Sequence, residues 1–204
     1  KGDKFEQLMW DFMKSQSPPD HSMRIEDTKI PVAVTGFDLQ TLQTLVMTQG
    51  NVAKASRASA TFPFLFQPVH WKVDGNNEEE DYILIDGGVL DPHGLEGLVQ
   101  MNPEDNSWSQ NKRVVNMVVG AFGGIGSGVP PGPSKLPKGL DTSELLSISI
   151  QKLPGCGPWV MENGPRAVEA ANRVMLASLD LPLFRGNEPG HYELHIDAST
   201  FAPP

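Results

Sequence analysis

The spacing of hydrophobic and polar positions predicts an amphipathic helix at the amino end of the chain. In KGDKFEQLMWDFMK the large apolar side chains recur every three or four residues, which is the period of a helix with one apolar face. Two prolines and several turn-forming residues follow this stretch and end the helix. The residues of the apolar face are Phe5, Leu8, Met9, Phe12 and Met13.

Short apolar runs rich in β-branched residues predict strands, most of them buried on both faces. The last run is different, because His, Glu, His and Asp alternate with Tyr, Leu and Ile over His191–Asp197. That alternation is typical of a half-exposed edge strand. The other predicted strands cover residues 30–34, 45–48, 69–73, 82–85 and 112–119.

Three further helices are predicted between these strands. Asn51 is placed to cap a helix through Ala60. A second helix is predicted from Asp141 to about Ile150, and a third over 164–180. Because buried strands alternate with helices, the pattern predicts an α/β domain with a mainly parallel sheet. In the third helix Pro165 falls in the first turn and one face carries Val168, Ala171, Met175 and Leu179.

Length and composition favour a single globular domain over residues 1–204. The chain has 16 basic and 25 acidic residues, a net charge of −9, which excludes a basic nucleic-acid binder. Its single cysteine, Cys156, excludes an internal disulfide and a cysteine-based zinc site, and mildly favours a reducing compartment. Residues 129–139 contain four prolines and are predicted to form a loop within the domain.

Asp86 is the candidate for chemistry that the sequence singles out. It ends the buried strand YILI and is followed by Gly87 and Gly88, which let the backbone turn sharply and leave the carboxylate uncovered. In an α/β sheet the carboxyl ends of strands are where ligands bind, so this carboxylate is a candidate general base. Asp-Gly is also a common turn dipeptide, and from the local sequence alone a plain turn is the commoner explanation.

Two motifs together give a more specific indication. The segment GNVAKASRASATFPFLFQPV contains Ala58-Ser59-Ala60-Thr61-Phe62-Pro63, and Asp86-Gly87-Gly88 follows it. In this order and spacing, the chain from about residue 30 onward resembles the patatin-like acyl hydrolases, a family of phospholipases and lipases. Thr61 stands where that family has a second small residue.

The resemblance implies a three-layer α/β/α domain and a Ser-Asp catalytic dyad. In such a dyad the aspartate acts directly on a serine hydroxyl, and that role carries over to Asp86. The serine attacks an ester carbonyl and forms an acyl-enzyme, which water then hydrolyses. The implied substrate is a lipid ester, with possible peripheral membrane contact and no cofactor. Phe62, Phe64 and Phe66 are candidates to line an acyl pocket.

The nucleophile of the family lies in a Gly-x-Ser-x-Gly elbow upstream of both motifs, and no serine of this chain fits that pattern. We therefore expect an incomplete domain whose amino-terminal part, with the serine, is missing. This chain alone is not expected to hydrolyse lipids. The alternative is a non-catalytic relative that binds lipid or acts as a scaffold. The expected location is cytoplasmic or peripheral to a membrane.

Other candidates have simpler structural explanations. His191, Glu193, His195 and Asp197 share one strand face that could hold a metal, but a solvated edge strand explains the same pattern. A metal-dependent hydrolase using this face remains a third hypothesis. The segment GAFGGIGSG lacks the spacing of a phosphate-binding loop. The remaining candidates are a metal site at Asp86, Asp91 and His93, a thiol nucleophile at Cys156, and Ser59 at a helix end.

Overall fold

The computed structural model describes residues 2–18, 22–73, 81–101, 113–119, 144–155, 161–185 and 189–201. These residues divide into two compact units, the first ending at residue 101 and the second beginning at residue 113. In the described residues no helix is both long and apolar enough to cross a membrane. The single domain over 1–204, its three-layer arrangement and its missing amino-terminal part stay predictions.

The first unit combines three helices with a four-stranded sheet in the order β2-β1-β4-β3. All three strand pairs are antiparallel, which differs from the expected mainly parallel sheet. For β1 and β2 the reason is their short connection, residues 39–42, because a parallel crossover needs about a dozen or more residues. The elements are α1 (Asp3–Gln16), β1 (Val34–Asp38), β2 (Gln43–Met47), α2 (Val52–Ser59), β3 (Val69–Lys72), β4 (Asp81–Asp86) and α3 (Leu95–Gln100).

Strand β1 begins four residues later than the apolar run predicts. Ile30 is 77% exposed and lies outside the strand, so the expectation of a strand buried over 30–34 is wrong. Pro31 lacks a backbone N–H and is unsuited to a central strand. The strand instead runs from Val34 through Gly36, which lies opposite Asp86 in the β1–β4 ladder.

Helix α2 and one face of the sheet enclose the core of the first unit. As predicted, Asn51 caps α2, and its side-chain oxygen accepts a hydrogen bond of 2.9 Å from the Lys54 N–H. Small alanines on the buried face of α2 let it pack closely on the strands. The fully buried core residues are Ile25, Met47, Ala55, Ala58, Val69, Trp71 and Leu84.

Helix α1 is confirmed, but it contributes no fully buried side chain. It is joined to α2 by Arg57, whose Nη1 lies 2.8 Å from Asp3 and 2.9 Å from Glu6. Phe5, Leu8 and Phe12 of the predicted apolar face are exposed. Arg57 therefore ties α1 to α2 by two ion pairs, in addition to the half-buried Met9 and Met13 of the predicted apolar face.

A buried carboxylate holds the sheet of the first unit together. Asp38, 1% exposed, accepts hydrogen bonds from the Thr41 N–H (2.9 Å), the Thr41 hydroxyl (2.7 Å) and the Ile83 N–H (3.0 Å). Burial by itself raises the pKa of Asp38, but the hydrogen bonds outweigh burial and leave that pKa below its ordinary value. The ionised side chain thus closes the β1–β2 turn and fixes it to β4.

The second unit is a mixed sheet packed against one long helix. Its strand order is β5-β6-β8-β7, with β5, β6 and β8 parallel and the short β7 antiparallel. Parallel pairing is therefore present, but in the described residues it is confined to this unit. The elements are β5 (Arg113–Val119), β6 (Glu144–Gln151), α4 (Gly164–Ser178), β7 (Phe184–Arg185) and β8 (His191–Asp197).

Strand β6 replaces the helix predicted from Asp141 to Ile150, and that prediction is wrong. Ser147 and Ser149 alternate with Ile148 and Ile150, a period of two that fits a strand. Because β6 pairs with a strand on each side, its backbone groups are satisfied in the sheet rather than in a helix. The isoleucines pack towards α4, and the serines lie on the opposite face.

Two other sequence predictions about the second unit need correction. Strand β8 exists with the predicted bounds, yet it lies between β6 and β7 and is not an edge strand. Helix α4 begins near Pro165 as predicted, but its buried positions are Ala170, Val174 and Ser178. The predicted face was displaced by about one residue, because Val168 and Leu179 at its two ends are exposed.

Replacing Asp38 by Asn is expected to destabilise the first unit by about 1–3 kcal/mol at pH 7, because a charged acceptor of three hydrogen bonds is lost. The pKa of Asp38 is lower in the folded than in the unfolded chain, where it is about 3.9. Its contribution is therefore complete above that value and is lost as the pH falls through the folded-state pKa. Urea unfolding at several pH values between 3 and 7 measures both effects.

The control is Asp11→Asn on the exposed surface of α1, which should change neither the stability nor its pH dependence. An Asp38→Asn protein as stable as the control at pH 7 would contradict the structural role of this carboxylate.

Candidate functional site

Asp86 is the last residue of β4, and the structure presents its side chain at a sharp turn. The side chain is half-buried, and its Oδ1 accepts a hydrogen bond of 2.8 Å from the Gly88 N–H. In the described part of the chain, Oδ2 has no hydrogen-bond donor. One oxygen therefore fixes the orientation of the carboxylate, and the other can accept a proton. Because β4 is antiparallel to its neighbours, the expected position at the edge of a parallel sheet is not what the structure has.

Gly87 makes this turn possible because its backbone lies directly against β1. A Cβ atom at Gly87 would come within 2.4 Å of the Thr35 carbonyl oxygen and 2.7 Å of the Thr35 hydroxyl. No side chain fits in that space without moving the strand. At Gly88 a Cβ atom would lie 3.1 Å from Oδ1 of Asp86, a tighter contact than most. The two glycines thus allow the close approach that holds the carboxylate in place.

Thr61 connects the first sequence motif to the Asp86 turn. Its carbonyl oxygen accepts a hydrogen bond of 3.0 Å from the Asp86 N–H. Its hydroxyl, which is buried, donates to the Arg57 carbonyl oxygen at 2.7 Å, near the end of α2. The two motifs that are separated in sequence are therefore adjacent in space. The threonine in place of a small residue is accommodated by this hydrogen bond.

An apolar loop of residues 62–68 has both ends beside the carboxyl end of β4. It starts after Thr61 and ends at β3, where Val69 lies opposite Leu84. Phe62 is half-buried, whereas Phe64 is fully exposed and has a positive φ of 69°. An acyl pocket lined by Phe62, Phe64 and Phe66 stays a prediction. The exposed apolar side chains of this loop and of the adjoining Asp86 turn are Phe64, Phe66, Val89 and Leu90.

None of the serine hydroxyls in the described residues hydrogen-bonds to Asp86. Ser59, the nearest serine in the motif, is the last residue of α2 and is half-buried. The first unit therefore contains the candidate base without a bonded nucleophile, which agrees with the absence of a Gly-x-Ser-x-Gly elbow from the sequence.

The residues proposed as metal ligands include two aspartates, Asp91 and Asp197, that make other contacts in the structure. Both carboxylate oxygens of Asp91 accept N–H groups at the start of α3, from Leu95 and Glu96. Asp197 is bonded to Lys152 at 2.5 Å and to Ser199, which lower the pKa of Asp197 to about 2. In the residues that the structure describes, no cluster of three or more potential metal ligands occurs.

Sequence reasoning missed one contact on the same face of β8. The Ser149 hydroxyl of β6 lies 2.7 Å from Nδ1 of His195. The period-two alternation in LSISI was the available signal, because it places the serine in a strand beside β8. Several other candidates lie outside the described residues: the Gly-rich segment 120–128, the loop 129–139 and Cys156.

Replacing Gly87 by Ala is expected to destabilise the first unit by about 2 kcal/mol or more, because the added methyl group collides with the backbone of Thr35. Gly97→Ala in α3 is the matched control, since its Cβ atom would make only an ordinary contact, 3.4 Å from the Ala33 Cβ. Thermal unfolding followed by circular dichroism compares the two. Equal melting temperatures would show that the turn relaxes freely, contrary to the geometry.

Comparison with known families gives a match in this part of the chain. The model of the family described as patatin-like phospholipase matches residues 2–99. The matched stretch contains α1, the sheet of the first unit, the Ala58–Pro63 motif and the Asp86 turn. The resemblance inferred from the two motifs is thereby confirmed for the first unit. Over residues 2–99 this chain is therefore similar to the patatin-like phospholipase family, which supports a patatin-like domain there.

Proposed function

We propose that the complete protein hydrolyses lipid acyl esters with a Ser-Asp dyad in which Asp86 is the base. The observation that carries the proposal is the Asp86 turn, which holds one carboxylate oxygen on the Gly88 N–H and leaves the other without a donor among the described residues. The patatin-like match over the same residues supports a lipid ester as substrate. The proposed nucleophile is a serine outside these 204 residues, because no serine among them stands in a Gly-x-Ser-x-Gly elbow. On this proposal the 204 residues alone do not hydrolyse lipid esters.

In the proposed reaction Oδ2 of Asp86 accepts the proton of the serine hydroxyl while Oγ bonds to the ester carbonyl carbon. The tetrahedral intermediate then breaks its bond to the alcohol oxygen, and the proton passes from Asp86 to the departing alcohol. Water, deprotonated by the same carboxylate, attacks the acyl carbon, the bond to the serine Oγ breaks, and the proton returns from Asp86 to Oγ as the fatty acid is released. The hydrogen bond from Gly88 keeps Asp86 oriented through both steps.

The exposed apolar side chains at this end of the first unit suit contact with a lipid surface. Phe64 and Phe66 follow the Asp86-bonded Thr61, and Val89 and Leu90 follow the Asp86 turn itself. All four are exposed, and no charged residue lies between Phe62 and Gln67. Partial insertion of these side chains would bring the ester bond near the dyad. Since the chain carries a net charge of −9, a zwitterionic surface suits it better than an anionic one.

Replacing Asp86 by Asn in the complete protein is expected to lower the rate of lipid ester hydrolysis by at least about 100-fold. The amide oxygen still accepts the Gly88 N–H, so the turn is retained, but the side chain no longer accepts the serine proton. Asp81→Asn at the opposite, exposed end of β4 is the control and should leave the rate unchanged. Release of fatty acid from phosphatidylcholine measures both.

Hydrolysis by Asp86→Asn at the rate of the Asp81→Asn control would overturn the dyad. An inactive complete protein that still binds lipid would favour the non-catalytic alternative.

Replacing Phe64 by Ser is expected to weaken binding to phosphatidylcholine vesicles about fivefold or more, since partial burial of a phenylalanine contributes on the order of 1 kcal/mol. Leu42→Ser is the matched control. Leu42 is an exposed apolar residue with a positive φ like Phe64, but it lies in the β1–β2 turn at the other end of the sheet from Asp86. Vesicle co-sedimentation measures both, and equal losses would place the lipid contact elsewhere.

A further inference from the structure

The second unit contains a continuous row of three hydrogen-bonded polar side chains across β6 and β8. The Ser149 Oγ lies 2.7 Å from His195 Nδ1, and His195 Nε2 lies 2.8 Å from Glu193 Oε2. From this row we propose a second reactive centre, in which Ser149 is a nucleophile, His195 its general base and Glu193 the group that orients the imidazole.

The sheet itself fixes the row. In the parallel β6–β8 ladder Ser149 is paired with His195, and Glu193 precedes His195 by two residues on the same face of β8. The other face of the same two strands packs against α4, which fixes the sheet. Three side chains therefore meet because of strand register rather than because of a flexible surface loop. The residues of that packed face, with their helical partner, are Ile148, Ile150, Leu194, Ile196 and Val174.

The chemistry of the three groups determines the direction of the hydrogen bonds. An ionised carboxylate only accepts, so the Nε2 atom that faces Glu193 must carry a proton and donate it. In the neutral imidazole Nδ1 then holds a lone pair and accepts the hydroxyl proton of Ser149. The order of groups is that of a serine nucleophile with a base beside the hydroxyl and a carboxylate on the far nitrogen, although Nδ1 and Nε2 are exchanged relative to the Ser-His-Asp triad of serine proteases.

The neighbouring charged residue Asp197 is paired elsewhere and does not compete for the hydrogen bonds of this row. Asp197, the next acidic residue on the face, is paired with Lys152 and bonded to Ser199. Within the described residues Glu193 forms an ion pair with His195 alone, so no lysine or arginine among them neutralises the carboxylate that supports the imidazole. The side chains of His195 and Glu193 are 52% and 36% exposed, which gives a small electrophile access to the row.

The backbone N–H of Ser149 offers the row no oxyanion donor, and this limits the substrates on which it can act. Strand β6 is paired on both sides, with Ser149 opposite Val118 and His195. The backbone N–H of Ser149 therefore lies within the paired sheet and is not free to stabilise an oxyanion. The electrophile must bring its own good leaving group. The class that fits is an activated acyl or phosphoryl ester, not an ordinary lipid ester.

In the proposed step Oγ of Ser149 bonds to the carbonyl carbon or phosphorus, and its proton passes to Nδ1 of His195. The leaving group departs with its bonding electrons and takes that proton if it is basic enough. With a fluorophosphonate, the O–P bond forms, the P–F bond breaks and fluoride leaves, so the adduct stays on Ser149 and can be located by mass.

The experiment is timed labelling of the 204-residue chain with an excess of fluorophosphonate, followed by peptide mass spectrometry to locate the adduct. Ser149 should be labelled, and Ser149→Ala should lose that adduct. His195→Gln should slow labelling about 100-fold and Glu193→Gln by a smaller factor, because the base and then its orienting group are removed. Ser147→Ala, on the same strand and face but paired with Glu193 in the ladder, is the matched control and should label at the original rate.

An unlabelled Ser149 in the folded chain, or labelling at an equal rate in His195→Gln, would overturn the proposal. Circular dichroism of each variant distinguishes loss of reactivity from loss of folding. If His195→Gln does not fold, labelling of Ser149 in the original chain at no more than the rate of Ser147 would still overturn it. Because the adduct is located on Ser149 itself, and no serine of the 204 residues stands in a Gly-x-Ser-x-Gly elbow, the result is independent of the dyad proposed for Asp86.

Discussion

The first unit depends on one buried carboxylate. Asp38 closes the turn between β1 and β2 and, through the Ile83 N–H, ties that turn to the strand that ends at Asp86. Near that end of the sheet the turn is also joined to β4 by the Leu39 N–H, which donates to the Ile83 carbonyl oxygen at 2.9 Å. Asp38 lies outside the candidate site, yet it helps to fix the strand that carries Asp86. Gly87, which packs on the Thr35 backbone, completes the constraint at the other end of β1.

Local signals with a strong chemical basis were sufficient to predict several elements. The Asn51 cap, the helix that begins near Pro165 and the Asp86 turn all follow from a few adjacent residues. Each prediction rests on a hydrogen bond or a backbone preference that the neighbouring sequence determines. The Asp-Gly-Gly turn could therefore be placed at a strand end without knowledge of the rest of the fold.

Features that depend on distant partners could not be predicted in the same way. Strand β6 contains residues compatible with a helix, and its pairing with β5 and β8 decides in favour of the strand that its period-two alternation allows. In the first unit the antiparallel direction of β1 and β4 depends on the pairing of two strands that are not consecutive, which apolar runs do not reveal. The contact of Ser149 with His195 joins residues 46 positions apart and depends on the register of two strands. Period-two alternation was the only local sign of it.

The first unit is stabilised by two kinds of interaction, an apolar core and the ion pairs of Arg57. The core beneath α2 is apolar, whereas α1 adds no fully buried side chain and is tied by Arg57 to Asp3 and Glu6. Dissolved salt screens the attraction between partly exposed charges, but it does not screen apolar packing. Raising the ionic strength therefore weakens the attachment of α1 before it weakens the core under the sheet that carries Asp86. The carbonyl oxygen of Arg57 also accepts the hydrogen bond from the Thr61 hydroxyl. Arg57 therefore contacts both α1 and the segment that leads to the Asp86 turn.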